Sequence, residues 1–254
     1  MIRLFSKSIK FLWMGVALTF LFVALLIYTG DAPFSIVVVV TGLWISWFGA
    51  QYSAISAHQK LLAILYTEKN PARFLTEYPP LLKRCRKASK LEAAMRAHLG
   101  NALVAQGDFD AALPYFTADN QSTETVLMQT ENRCSCYLYQ ENRTAADAEL
   151  GKMDGMLANS NRRLQLRTEE SRHMLGIRRT LLDGLILNED ITFLRDVVAH
   201  TNKPLHRSST RFLLAKVYLL RNQTDAAYGL LHSIVDDGGD IWVVKQAQNM
   251  LEQN

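Results

Sequence analysis

Two long stretches of this chain carry no charge, and they limit its fold more than any other feature. Phe11 to Gly30 is a run of 20 uncharged residues and Ala32 to Ala57 a run of 26, with Asp31 alone between them. A helix rises about 1.5 Å per residue, so 20 residues reach about 30 Å, the thickness of a bilayer's hydrocarbon core. Lipid offers the backbone no hydrogen-bond partner, so each stretch has to satisfy its own amides as a helix. The expected anchor is a helical hairpin. A basic cytosolic N-terminus (1–10) leads into transmembrane helix 1 (11–30), a tight turn at Asp31, Ala32 and Pro33, and transmembrane helix 2 (34–57).

Orientation follows from the flanks. Arg3, Lys7 and Lys10 precede the first span, and Lys60, Lys69, Arg73, Lys83, Arg84, Arg86, Lys87 and Lys90 follow the second. Positive flanks stay in the cytosol, which puts both termini and the rest of the chain there, with the cell membrane as the expected location. Trp13, Trp44 and Trp47 would gather toward the same leaflet. A cleaved signal peptide is the competing reading, but Tyr28 to Phe34 offers no small-residue cleavage site and a second span follows directly. Gly42, Ser46, Ala50 and Ala54 recur every four residues and admit close approach of another helix, either the first span or another membrane protein. No Asp, Glu, Lys, Arg or His lies inside either span, which argues against an ion pathway.

Beyond residue 57 the apolar positions recur at three- and four-residue spacing, with almost no strand-like alternation. The expected layout is a basic juxtamembrane helical linker over 58–90 and a helical domain over 91–254. Asn70 and Pro71 read as the cap and first residue of a helix over 71–87 that Pro79-Pro80 must kink or split. Asp108, Asn142 and Thr224 stand where side-chain oxygens can cap helix starts. Three cysteines and a net charge of +4 argue against a secreted disulfide-stapled domain and a dedicated nucleic-acid binder.

Residues 98–116, HLGNALVAQGDFDAALPYF, carry the strongest pattern. Leu99, Gly100, Leu103, Gly107, Phe109, Ala112 and Phe116 fall at the spaced positions of the tetratricopeptide repeat, a helix-turn-helix unit of about 34 residues that this segment resembles. A weaker copy in register places Cys134, Tyr137, Ala146 and Leu150, and a third places Leu214, Ala215, Tyr218, Ala227, Leu231 and Ile234. Between them, a helix over about Arg162 to Leu187 and another from Asp190 to His200 form a pair without the signature. Asp240 to Leu251 reads as a closing helix, with Gln246, Gln248, Asn249 and Glu252 toward water. The expected fold is therefore all-α: a transmembrane hairpin followed by a tetratricopeptide-like solenoid of antiparallel helix pairs.

Chemistry is hard to find. No P-loop, dinucleotide fingerprint, H-E-x-x-H, G-x-S-x-G or kinase signature occurs, so an enzyme is not expected unless acidic, histidine and hydroxyl side chains meet in a deep pocket. Cys134 and Cys136 lie about 200° apart on one helix and cannot share a metal. His200 and His206 lack a third ligand, and Asp236, Asp237 and Asp240 lack EF-hand spacing, so no metal or cofactor is expected. The sequons at Asn120, Asn142 and Asn222 matter only for a lumenal domain. Arg162, Arg163, Arg167, Arg172, Arg178 and Arg179 crowd one helix, diluted by Glu169, Glu170 and Asp183 and without aromatic interleaving, so no nucleic acid is expected. Lys83, Arg84, Arg86 and Lys87 could attract anionic headgroups.

The resemblance implies a scaffold whose first helices line a concave groove for a protein or peptide. On this sequence the groove positions would be Asn101 and Val104, then Glu131, Ser135 and Tyr139, then Phe212, Lys216 and Leu219, with Ala94, Ala97, Ala105, Met128, Leu138, Ser209 and Leu220 beside them. The lining lacks a Lys/Arg clamp for a C-terminal carboxylate, which favours a helix or a mixed peptide contact. Two functions follow: a membrane-anchored interaction scaffold, or an accessory subunit of a membrane complex assembled through the hairpin.

Overall fold

The computed structural model describes residues 6–28, 32–85, 90–117 and 122–253, and these are helical throughout, with no strand among them. Arg3, Asp31, Arg86, Lys87 and Asn120 lie outside the described residues. Contacts divide the chain into two units, 1–62 with 83–85, and 63–82 with 86–254.

In the first unit, α1 (Ser6–Tyr28) packs against α2 (Ala32–Tyr66) through small residues. A β-carbon on Gly15 would stand 2.3 Å from the Ser46 hydroxyl, and one on Gly42 2.4 Å from that of Thr19. Ala50 and Ala54 are fully buried against Ile9 and Leu12, and the Ser8 and Ser53 hydroxyls bond at 3.1 Å. The stripe of small residues is thus taken up by the first span. The outer faces are apolar and bare, with Leu21 and Ile45 each 71% exposed. Both helices are long and apolar enough to cross a membrane. Helix α2 runs nine residues past the expected end at 57, because no helix breaker occurs before the Lys69-Asn70-Pro71 turn.

The second unit contains α3 (Pro71–Glu77), α4 (Pro79–Leu82), α5 (Lys90–Gln106), α6 (Phe109–Ala112), a 3-10 turn (Leu113–Tyr115), α7 (Thr123–Tyr139), α8 (Arg143–Ala158), α9 (Arg162–Leu181), α10 (Asn188–His200), α11 (Pro204–Leu220), α12 (Thr224–Asp236) and α13 (Trp242–Glu252). The Asn70 side chain caps α3 by accepting from the Arg73 amide, and the helix breaks at Tyr78 before the paired prolines. Its second piece stops at Leu82, short of the expected 87. Asn142 caps α8 as expected, whereas Asp108 makes no side-chain cap bond and Thr224 lies inside its helix, behind Gln223.

Helices α5, α7, α9 and α11 all stop in the same way. A residue in the left-handed region follows each: Gly107 (φ 92°), Glu141 (φ 58°), Gly184 (φ 72°) and Asn222 (φ 56°). Its amide bonds back to the carbonyl three residues earlier, and the next amide reaches five residues back, at Leu103, Tyr137, Thr180 and Tyr218 respectively. This paired closure satisfies the last helical carbonyls and turns the chain into the next helix. It also ends α9 at Leu181 rather than Leu187, because Gly184 reverses the chain where helical periodicity alone would continue it.

Three apolar clusters hold these helices together. Leu127, Cys134, Leu138, Ala146, Met153 and Leu175 join α7, α8 and α9. Met174, Ile177, Ile191, Leu194, Leu213 and Val217 join α9, α10 and α11. Phe212, Ala215, Leu231, Ile234, Ile241 and Val244 join α11, α12 and α13. Each fully buried side chain of this size contributes about 1.5–3 kcal/mol. In the first pair, Gly100 is small because the Phe116 ring lies on it, where a β-carbon would be 2.5 Å away. The second helix of that pair is cut to a single turn, since Pro114 has no amide to continue it.

The last helix does more than seal an end. It packs on α12 and α11 and also on α5. Lys69 Nζ donates to the Asp237 carbonyl (2.8 Å), and the Asp240 amide donates to the Lys69 carbonyl (2.9 Å). The first turn of the unit is thereby clasped to the turn between α12 and α13. Gln248, Asn249 and Glu252 face water, while Gln246 is half-buried.

Candidate binding cavity

The inward faces of α5, α7, α9 and α11, with the start of α13 and Tyr66, line an open cavity of about 880 Å³. Of the residues expected to line a groove, Asn101, Val104, Glu131, Ser135 and Tyr139 meet here. Phe212 and Lys216 line an adjoining hollow of about 50 Å³ together with Tyr139, Arg178 and Trp242. Leu219 lies elsewhere. It is half-buried against the α9–α11 cluster, because its position on α11 points away from α7. Ala105 and Ser209 join the lining and Leu138 lines the adjoining hollow, whereas Ala97 is a core residue and Leu220 is exposed. Lys83 and Arg84 are exposed in the turn after α4, and Lys83 to Cys85 group with the first unit.

The cavity floor is aromatic. The Trp242 ring meets Tyr139, Phe109 and Phe212 edge-on at centroid distances of 5.3, 5.5 and 5.8 Å, and Phe109 stacks on Tyr139 at 5.0 Å. The Arg178 guanidinium lies 4.6 Å from the centre of the Tyr139 ring. At the opposite wall the Tyr66 hydroxyl shares a 2.8 Å hydrogen bond with His98 Nδ1 and accepts one from the Asn101 amide at 3.2 Å. His206 Nε2 stands 3.6 Å from Glu170.

Burial decides the electrostatics. It pushes the Glu131 carboxyl above its ordinary value, and the neighbouring Ser171 hydroxyl and the Arg178 charge pull it only partly back. Burial likewise lowers the His206 imidazole, against the pull of Glu170. The Cys134 and Cys136 thiols are pushed up to about 12 by burial, so neither is a nucleophile at neutral pH. The cavity does gather acidic, histidine and hydroxyl side chains. The Ser209 hydroxyl donates to the Leu205 carbonyl.

Three of the six arginines on α9 hold carboxylates. Arg167 bonds to Glu124, Arg172 to Asp154, and Arg179 to Asp147 and Asp183. Arg178, which forms no such ion pair among the described residues, lines the cavity. The acidic turn is also spoken for, with Asp237 paired to Arg211 and Asp240 to Lys245. Among the described residues no cluster of His, Cys, Asp and Glu is arranged to hold a metal.

Tyr66, His98, Arg178, His206 and Trp242 were not expected in the lining. His98 lies one turn before Asn101 on the same face, so helical spacing could have found it. Trp242 reaches the cavity only because α13 folds back onto α5, which no local pattern reveals. Comparison with family models, with curated proteins and with solved structures gives no match for this chain.

Proposed function

We propose that this chain is a membrane-anchored protein-interaction module, in which a tetratricopeptide-like array of helix pairs presents a concave cavity on the cytosolic side. The observation that carries the reading is the cavity itself: about 880 Å³, lined by the inward faces of successive first helices, with an aromatic floor and several polar side chains turned inward. The identical closures of α5, α7, α9 and α11 support a repeat origin for those helices, since Gly107 and Glu141 stand 34 residues apart. The basic flanks support a cytosolic placement at the cell membrane, and Lys83, Arg84, Arg86 and Lys87 are positioned in sequence to meet anionic headgroups. The module raises the local concentration of its partner at the bilayer and contributes no chemistry of its own.

Assembly into a larger membrane complex through the hairpin is the weaker reading. The stripe that suggested it, Gly42, Ser46, Ala50 and Ala54, belongs to the contact with α1.

The test is crosslinking in intact cells followed by affinity purification, comparing the native chain with a Ser135→Trp variant that fills the cavity. Partners lost in the variant support the cavity as the docking site. Partners retained by that variant and lost on changing lipid-facing residues such as Ile45 would move the function to the membrane.

A further inference from the structure

The first turn of α9 is charged against its own dipole. Arg162 and Arg163 open the helix, no acidic residue stands in that turn, and cations are disfavoured at a helix start. Both arginines are exposed and hold no carboxylate among the described residues, although Arg167, Arg172 and Arg179 further along all do. One turn on, Leu166 is 59% exposed. Beyond it stand Glu169, which pairs with no cation among the described residues, and Glu170, which faces His206 at 3.6 Å.

These side chains share one face, since residues three and four apart are neighbours on a helix. His173 stacks on Phe193 at 4.1 Å and pairs with Asp190, which sets α10 against α9. Seven residues past Phe193, α10 ends at His200, level with Leu166. The first turn of α9 is therefore left without a covering helix on that side. Below it the pair leaves an open hollow of about 500 Å³, with Phe193 and Val197 in its wall and Asp196 at its rim.

Along this face the charges mirror one another about Leu166. Arg163 lies three residues before it and Glu169 three after, and Arg162 and Glu170 lie four before and four after. Two such helices crossing antiparallel, with Leu166 on the two-fold axis, bring Arg163 to Glu169 and Arg162 to Glu170, twice over, around a shared leucine contact. An isologous contact demands this self-complementarity. A basic partner of another kind would satisfy the glutamates and be repelled by the arginines.

We infer that this face is a contact between two copies of the chain, α9 lying antiparallel to α9 of the second copy, with Arg162 and Arg163 of each meeting Glu169 and Glu170 of the other. The matched stretch spans only about 13 Å of helix, less than a stable dimer buries in solution. Confinement of both copies to one bilayer offsets that, and in this respect the contact rests on the anchoring proposed above. It is separate from the cavity, which shares only Glu170 with it.

The test uses the full chain in phospholipid vesicles at rising protein-to-lipid ratio, with energy transfer read between donor- and acceptor-labelled copies. The native chain is expected to associate. Arg162→Glu with Arg163→Glu makes the face wholly acidic, and Glu169→Arg with Glu170→Arg makes it wholly basic. Each of these chains alone is expected to associate at least about tenfold more weakly. Mixing the two should restore transfer, and so should a chain carrying all four substitutions, whose net charge stays at +4. A merely structural role for these residues gives no such restoration, and its absence overturns the contact. Transfer that ignores all four substitutions also overturns it and moves association to the hairpin, and a native chain without transfer overturns it outright. Leu166→Cys in a Cys85→Ser background should form an oxidised dimer, whereas Leu185→Cys, 67% exposed in the turn after α9, should not. A chain that does not float with the vesicles sinks the anchoring instead, and the same mixtures then decide the contact in solution at higher concentration.

Discussion

The indole of Trp242 lies over Gly107, so closely that a β-carbon on the glycine would stand 2.4 Å from its Cδ1. The turn after α5 therefore needs glycine twice: for its φ of 92°, and for room beneath a ring supplied from the far end of the unit. Gly107→Ala is expected to destabilise the second unit by about 2 kcal/mol or more. Gly184→Ala is the control, since φ there is 72° but nothing lies within 4 Å, and it should lose only about 1 kcal/mol. Thermal melts followed by circular dichroism decide between them, and equal losses would mean that the Trp242 contact does not matter.

Glu131 should show the opposite behaviour, a gain in stability on substitution. Burial raises its carboxyl above 4.5, so the folded chain holds that proton at pH values where the unfolded chain has released it. Its contribution is complete below about pH 4.5 and is lost as pH rises through the raised value. Glu131→Gln removes the ionised form altogether. Its melting temperature should exceed the native one at pH 7, and the difference should vanish toward pH 4. A variant less stable at pH 7 would show that the carboxylate is well solvated or paired.

How much of this could be read from the chain follows from the range of the forces involved. The hairpin was legible because lipid imposes its demand on each helix separately, so the uncharged runs suffice. The first helix pair was legible because Gly100 and Phe116 meet within it and Gly107 turns the chain between its helices. What stayed hidden depends on distant partners. Arg178 is one of six arginines on its helix, and only folding shows that Arg167, Arg172 and Arg179 face carboxylates while it faces the cavity. Trp242 and the Lys69–Asp237 clasp join positions more than 130 residues apart, beyond any periodicity.

Arg133 ties three segments together, and removing it should be severe. Its guanidinium donates to Glu149 Oε2 at 2.8 and 3.1 Å and to the Phe116 carbonyl at 2.6 Å. Burial alone would raise the Glu149 carboxyl, but hydrogen bonds from Arg133 and Lys152 hold it below its ordinary value. Arg133→Leu leaves that buried carboxylate with Lys152 alone and should cost about 2–4 kcal/mol. Arg133→Leu combined with Glu149→Leu should recover at least half of the loss, because no uncompensated charge remains. The pair's contribution is present above pH 4.5 and fades as pH falls through the lowered value, so the single variant should lose less at acid pH. Denaturation at pH 7 and pH 4 checks both statements, and an additive double variant would reject the coupling.

The Ser8 and Ser53 hydroxyls, 3.1 Å apart, offer a direct check on the hairpin. With cysteine at both positions, mild oxidation in membranes should join α1 to α2 within one chain, since the side-chain termini already lie close to bonding distance. Cys85, half-buried in the turn after α4, is changed to Ser in this background, and Cys134 and Cys136 do not compete well, because they are buried with thiols pushed up to about 12. Gly42→Leu in the same background should abolish most of the crosslink, as a β-carbon there meets the Thr19 side chain at 2.4 and 2.6 Å. A crosslink that instead doubles the mass on a denaturing gel would show that α1 pairs with α2 of another copy. The stripe of small residues would then be an assembly surface, and the hairpin, rather than the cavity, would be the first place to look for the function.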